Sequence, residues 1–175
     1  MSMSDQPEFS TTQPQLAVSS GLIKLDGRAE LAAAATALVS QARRTINICT
    51  PDLEPWLYAQ SELVSAMQQF LLGQRGQLRI VLFDSELIRR GHGLVQLAQR
   101  LPTFVAIHRP LPEITQPDSA FMTVDAAGYL FRHHRDQPQG VVEYNDRFRV
   151  RELNDRFQQL WNQSEPEPEC RRQGL

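Results

Sequence analysis

The sequence is poor in the residue types that most often betray a function. Among its 18 basic side chains only one, Lys24, is lysine, so lysine-based covalent chemistry has almost nothing to work with. There are two cysteines, Cys49 and Cys170, too far apart for a zinc or redox motif; that spacing, with no leader-like basic and apolar N-terminus, predicts a cytoplasmic protein with no metal and no cofactor. The longest apolar run, Leu31 to Val39, is too short to span a bilayer, and no membrane insertion is expected. Aromatic residues make up 7% of the chain, which leaves little to stack against the bases of a single-stranded nucleic acid. An excess of one charge is also missing. Sixteen basic and fifteen acidic residues between 19 and 163 leave that stretch nearly neutral, which argues against nucleic acid as a partner.

What remains is ordinary globular material. The chain has 175 residues, 41% hydrophobic and 22% charged, enough for one core. Residues 1–18, rich in Ser, Thr, Gln and Pro, read as a disordered arm. Residues 164–175 alternate Glu with Pro, a pattern that opposes both helix and sheet pairing, and read as an extended tail. Between them, residues 19–163 form the domain. Residues 27–43 read as an Ala/Leu helix with Asp26 available as its cap. Residues 45–49 read as a strand and 61–72 as an amphipathic helix. Residues 78–83 suit a strand covered on both faces. A helical region begins at Asp84 or Ser85, breaks at Gly91 and Gly93, and resumes over 94–100; a strand follows at 103–108. After a proline-rich loop come short strands at 120–124, 129–132 and 141–144, then a helix over 146–161 with Val150, Leu153, Phe157 and Trp161 on one side. This order predicts an α/β fold with a mixed, mostly parallel β-sheet flanked by helices.

The segments ARRTINICTPDL, LRIVLFD, TFVAIHR, AFMTVD and GYLFR, closed by ELNDRFQQLW, resemble one half of the phospholipase D-like superfamily over residues 22–163. GHGL at 91–94, QRLPT at 99–103 and VDAAGYLFR at 124–132 are similar to a small uncharacterised bacterial domain of that fold. In the superfamily each half carries His-x-Lys-x-x-x-x-Asp, the histidine acting as nucleophile or general acid and the lysine holding phosphate. With the acid on Asp125, the histidine position holds Asp118 and the lysine position Ala120. A carboxylate repels phosphate and an alanine offers no charge, so the resemblance implies a module that has lost phosphodiesterase activity and has no catalytic residues of the inherited kind. Superfamily halves pack face to face, which implies a homodimer or another protein as partner.

The residues leave two functions open. The first is a binding, regulatory or scaffolding module for a protein partner or a phosphate-bearing ligand. Arg100, Arg109 and Arg132 are candidates for its anion patch, because guanidinium forks suit phosphate. The second is a phosphoesterase or transferase with a repurposed site at His92, His108 and Arg109. His92, between two glycines at a helix start, could join backbone N–H groups around an anion, against the plainer reading of a helix-boundary residue. His108 and Arg109 end a strand, where α/β folds tend to place ligands; a surface strand end is the plainer account. His133 and His134 read as solvated loop, and Asp125 as a structural acceptor of backbone hydrogen bonds at a strand-to-turn junction.

Overall fold

A computed structural model describes residues 12–86 and 91–170. Eight strands form one sheet: β1 (Ile23–Asp26), β2 (Thr45–Thr50), β3 (Gln77–Leu82), β4 (Val105–Pro110), β5 (Ala120–Val124), β6 (Gly128–Arg132), β7 (Gln139–Glu143) and β8 (Ser164–Pro166), in the order β1-β7-β6-β5-β2-β3-β4-β8. Five helices connect them: α1 (Arg28–Gln41), α2 (Pro55–Tyr58), α3 (Ser61–Gly73), α4 (Gly93–Arg100) and α5 (Arg147–Asn162). A 3-10 turn, Pro168–Cys170, follows β8.

Side chains alternate across the sheet with the period of two that strands impose. Ile46 and Ile48 of β2, Leu78, Ile80 and Leu82 of β3, and Met122 and Val124 of β5 join one apolar core with α1 to α4. Their neighbours Cys49, Val81 and Phe121 join a second core with Val150, Leu153 and Phe157 of α5. Among the described residues the α/β sandwich is thus asymmetric: four helices cover one face and α5 alone covers the other. On the four-helix face α1 packs against α3 through an alanine-rich stripe, with Leu31, Ala35 and Leu38 fully buried.

The sheet is mixed but mostly antiparallel, against the mostly parallel sheet expected. Only β2–β3 and β3–β4 are parallel; β1–β7, β2–β5, β4–β8, β5–β6 and β6–β7 are antiparallel. The reason is the length of the connections. A parallel pair needs a crossover of a dozen or more residues, which α2–α3 supply between β2 and β3 and α4 supplies between β3 and β4. The links from β5 to β6 and from β6 to β7 are too short for that and fold into hairpins.

Three further expectations shift. Asp26 does not cap α1: Gly27 stands at the cap position without a side-chain bond, and Glu30 instead accepts the Asp26 N–H at 2.7 Å. Part of the arm expected to be disordered is docked. Leu16 N–H donates to Gln41 Oε1 at 2.8 Å and Ala17 N–H to the Tyr144 carbonyl at 2.8 Å; residues 1–11 lie outside the described residues. The tail expected to resist pairing adds β8 to the β4 edge, with Pro166 opposite His108. Proline is tolerated there because β8 is itself the outermost strand. The helical region expected from Asp84 falls partly on 87–90, outside the described residues.

Candidate functional site at the carboxyl edge of the sheet

β2 ends in Thr50-Pro51-Asp52-Leu53-Glu54, and antiparallel pairing brings the start of β5 and the end of β6 beside it. The bend is held from several sides. Thr50 Oγ1 accepts the Leu53 N–H at 3.1 Å and lies 3.3 Å from Glu54 Oε1. The Pro51 carbonyl accepts the N–H groups of Phe83 and Asp84. Leu53 adopts a φ of 55°, a left-handed conformation that a branched residue holds only when its surroundings enforce it.

Glu54 is thereby presented to Arg132. Arg132 Nη2 donates to Glu54 Oε1 at 2.6 Å, with 3% and 10% of the two side chains exposed. Its Nη1 donates to the Arg135 carbonyl at 3.0 Å. The guanidinium lies 5.3 Å from the Trp56 ring centre, and that of Arg28 lies 5.2 Å from the same ring. Arg135 extends the cluster outward, donating to the Pro117 carbonyl at 2.8 Å and reaching Asp118 at 3.4 Å.

Arg28, Asp52, Glu54, Trp56, Arg132 and Arg135 line a crevice of about 230 Å³. Burial raises the Glu54 carboxyl above its ordinary range, and Arg132 opposes the rise. Asp52 is raised as well, first by burial and then by the Asp84 charge. Its Oδ1 is buried with no hydrogen-bond partner among the described residues. The lining holds no histidine, cysteine or lysine. Its charged groups are carboxylates and guanidiniums.

The structure disperses the residues singled out by sequence. Arg132 lies in this crevice but is spent on Glu54, and it forms no patch with Arg100 or Arg109. Arg100 is exposed in the last turn of α4, and Arg109 lies 3.4 Å from Ser85 Oγ. His92 is a buried cap: its Nδ1 accepts the Leu94 N–H at 3.1 Å and its Nε2 lies 2.8 Å from the Leu53 carbonyl, so Nε2 carries the proton. Burial lowers its pKa from the usual 6.5, and the Leu53 bond works against that.

His108 lies across the sheet from it. Its ring stacks on Trp161 of α5 at 3.6 Å, and its Nδ1 is 2.9 Å from Ser164 Oγ. That hydroxyl is committed to the Trp161 carbonyl at 2.6 Å, so Nδ1–H donates to it. Burial and then Arg79 lower the His108 pKa. His92 belongs to the four-helix face and His108 to the α5 face, so the pair does not converge as a repurposed catalytic site would require.

Asp125 occupies the opposite end of β5. Its carboxylate accepts the N–H groups of Arg43, Arg44 and Thr45, tying the α1–β2 link to the β5–β6 turn. Sequence reasoning passed over Asp52, Glu54 and Arg28 altogether. The only available signal was an acidic pair directly after a strand, because the arginine that completes it is 78 residues away.

The comparisons with known proteins agree on fold and are silent on activity. The model of a family described as a domain of unknown function (DUF7931) matches residues 27–173. No curated protein matches the sequence. Among solved structures, Nuc from Salmonella typhimurium, a phospholipase D family member, aligns with a TM-score of 0.62 at 11% identity, covering 84% of this chain and 99% of its own. NucT from Helicobacter pylori aligns at 0.61 and 8%, covering 85% and 99%. TrmBL2, an archaeal chromatin protein described with a novel mode of DNA binding, aligns at 0.64 and 13%, covering 86% of this chain but 55% of its own. This chain therefore has a phospholipase D-like fold and spans about half of TrmBL2.

Proposed function

The chain belongs to the DUF7931 family, and we propose that it is a phospholipase D-like module without phosphodiesterase activity, serving as a binding or scaffolding unit for a phosphate-bearing ligand or a protein partner. One observation carries this reading. Ala120, at the position where the resemblance implies a phosphate-holding lysine, pairs in register with Arg132, whose guanidinium is already neutralised by Glu54. A cation locked in a buried ion pair cannot also stabilise the equatorial oxygens of a phosphoryl transition state without losing its partner. Asp118 at the histidine position adds a charge that repels phosphate.

The test is turnover of bis(p-nitrophenyl) phosphate, a phosphatidylcholine and single-stranded DNA by the full chain. The expected outcome is no hydrolysis above buffer for any of the three. Hydrolysis that disappears in both Asp118→Asn and Arg135→Gln would overturn the proposal, since Arg135 lines the crevice and Asp118 is its ion-pair partner.

A further inference from the structure

A large cavity lies at the other end of the sheet, where α1 runs into β2. It encloses about 820 Å³, and Arg43, Arg44 and Arg147 line it together with Gln74 and Ser40. That volume is within the range of small-molecule sites, roughly 300–1,000 Å³. The arginines arrive from separate parts of the chain: Arg43 and Arg44 from the α1–β2 link, Arg147 from the first turn of α5. All three residues are exposed. The ion pairs among the described residues join Arg132 to Glu54, Arg135 to Asp118 and Arg149 to Glu152, so none of the three cavity arginines has a carboxylate partner there.

One acid, Asp125, also lines the cavity. Its oxygens are taken up by the N–H groups of Arg43, Arg44 and Thr45 at 2.8 to 3.3 Å. It acts on the backbone that carries the two arginines and leaves their guanidiniums unpaired. Three cations against one committed anion leave the cavity net positive in a chain whose overall charge is −2. The remaining wall is the docked segment with Leu16, Ala17 and Val18, which offers apolar contact beside the charges.

We propose that this cavity binds a small ligand bearing more than one phosphate oxygen cluster, such as a pyrophosphate or a phosphorylated headgroup with an apolar portion. Guanidinium forks pair with phosphate in two-point fashion, and three of them exceed what a single carboxylate needs. The proposal deepens the phosphate-binding reading above and rests on it, placing the ligand at the opposite end of the strands from the crevice.

The experiment is calorimetric titration of the full chain with inorganic pyrophosphate, with sodium sulfate at matched ionic strength as the control, followed by melting curves. Saturable binding near one per chain is expected, with a melting temperature raised by several degrees at saturation and little response to sulfate. Arg44→Gln should weaken affinity about tenfold, the loss of one charge-assisted pair, and Arg43→Gln/Arg44→Gln/Arg147→Gln should abolish it while the unliganded melting curve is kept. Absence of saturable binding, equal response to sulfate, or unchanged affinity in the triple variant overturns the proposal. Co-sedimentation with vesicles containing a bisphosphorylated phosphoinositide then separates the sources: pelleting that pyrophosphate competes away identifies a lipid headgroup, and pyrophosphate binding without pelleting identifies a soluble phosphate. Either result leaves a crevice without hydrolysis untouched.

Discussion

Arg132 and Glu54 show most directly why single residues mislead when read along the chain. In sequence Arg132 is one of many arginines after a strand; in the fold it is buried against a carboxylate from 78 positions earlier. Removing one partner strands the other charge, which costs about 3–5 kcal/mol, whereas replacing both with apolar or neutral groups of similar volume costs far less. Glu54→Gln and Arg132→Met should therefore each lower urea-denaturation stability by an amount in that range, and the double variant should recover much of it. Additive losses would mean the pair is not coupled.

His92 supports a second prediction at the same scale. Its pKa is lowered in the folded state, so the unfolded chain binds the proton more readily between the depressed value and 6.5. Stability is then fully present above about 6.5 and falls as pH drops through that window. His108 is shifted in the same direction and contributes with the same sign. Asp52 and Glu54 are raised and act oppositely: their contribution is complete below the ordinary carboxylate range and declines as pH rises. The histidine contribution is isolated by His92→Asn, which keeps a side-chain cap. Unfolding free energy measured at pH 7.5 and 6.0 should differ less in this variant than in the wild type.

Elements whose side chains repeat with a clear period were legible. α3 and α5 fall within two residues of the expected spans because each buries a stripe of helical period, and the alternating β2 does so as a strand; β3, a nearly continuous apolar run, and β5 also fall within two residues of their expected spans. Three elements were not. β1 has four residues and β8 three, too few for alternation to register, while α2 is a single turn started by Pro55. The docking of residues 12–18 was invisible for a related reason, since its anchors, Gln41 and Tyr144, are distant in sequence. Gly128 tests that docking. A Cβ there would lie 2.6 Å from Leu16 Cδ1 and 3.0 Å from Leu38 Cδ2. Leu38 is fixed in the core and Leu16 sits on the added segment, so the segment yields first. Gly128→Ala should raise the rate of limited proteolysis within residues 12–20, with a global loss no larger than about 1–3 kcal/mol for overpacking. An unchanged cleavage rate would show the segment is held without Leu16. Because it walls the cavity, pyrophosphate affinity should weaken in the same variant.

At the scale of the whole molecule the asymmetry of the sandwich matters most. Local sequence announces strands but not their direction, and the mostly antiparallel sheet follows from connection lengths that become decisive only once strand order is known. That topology puts the starts of β5 and the end of β2 at one edge, where the crevice opens with Asp118, Arg135 and Asp136 at its rim. This chain and Nuc align over 84% of the one and 99% of the other. The resemblance implies that such units pack face to face, and a rim carrying both signs of charge can be complementary to its own copy under a twofold axis. Static light scattering at micromolar concentration should accordingly give about twice the chain mass of 19.9 kDa. Arg135→Glu, which places a third acid at the rim beside Asp118 and Asp136, should shift that mass toward the monomer and do so more strongly at low salt. A wild-type mass equal to one chain across the concentration range would leave the edge to a different protein and remove the homodimer from the proposal.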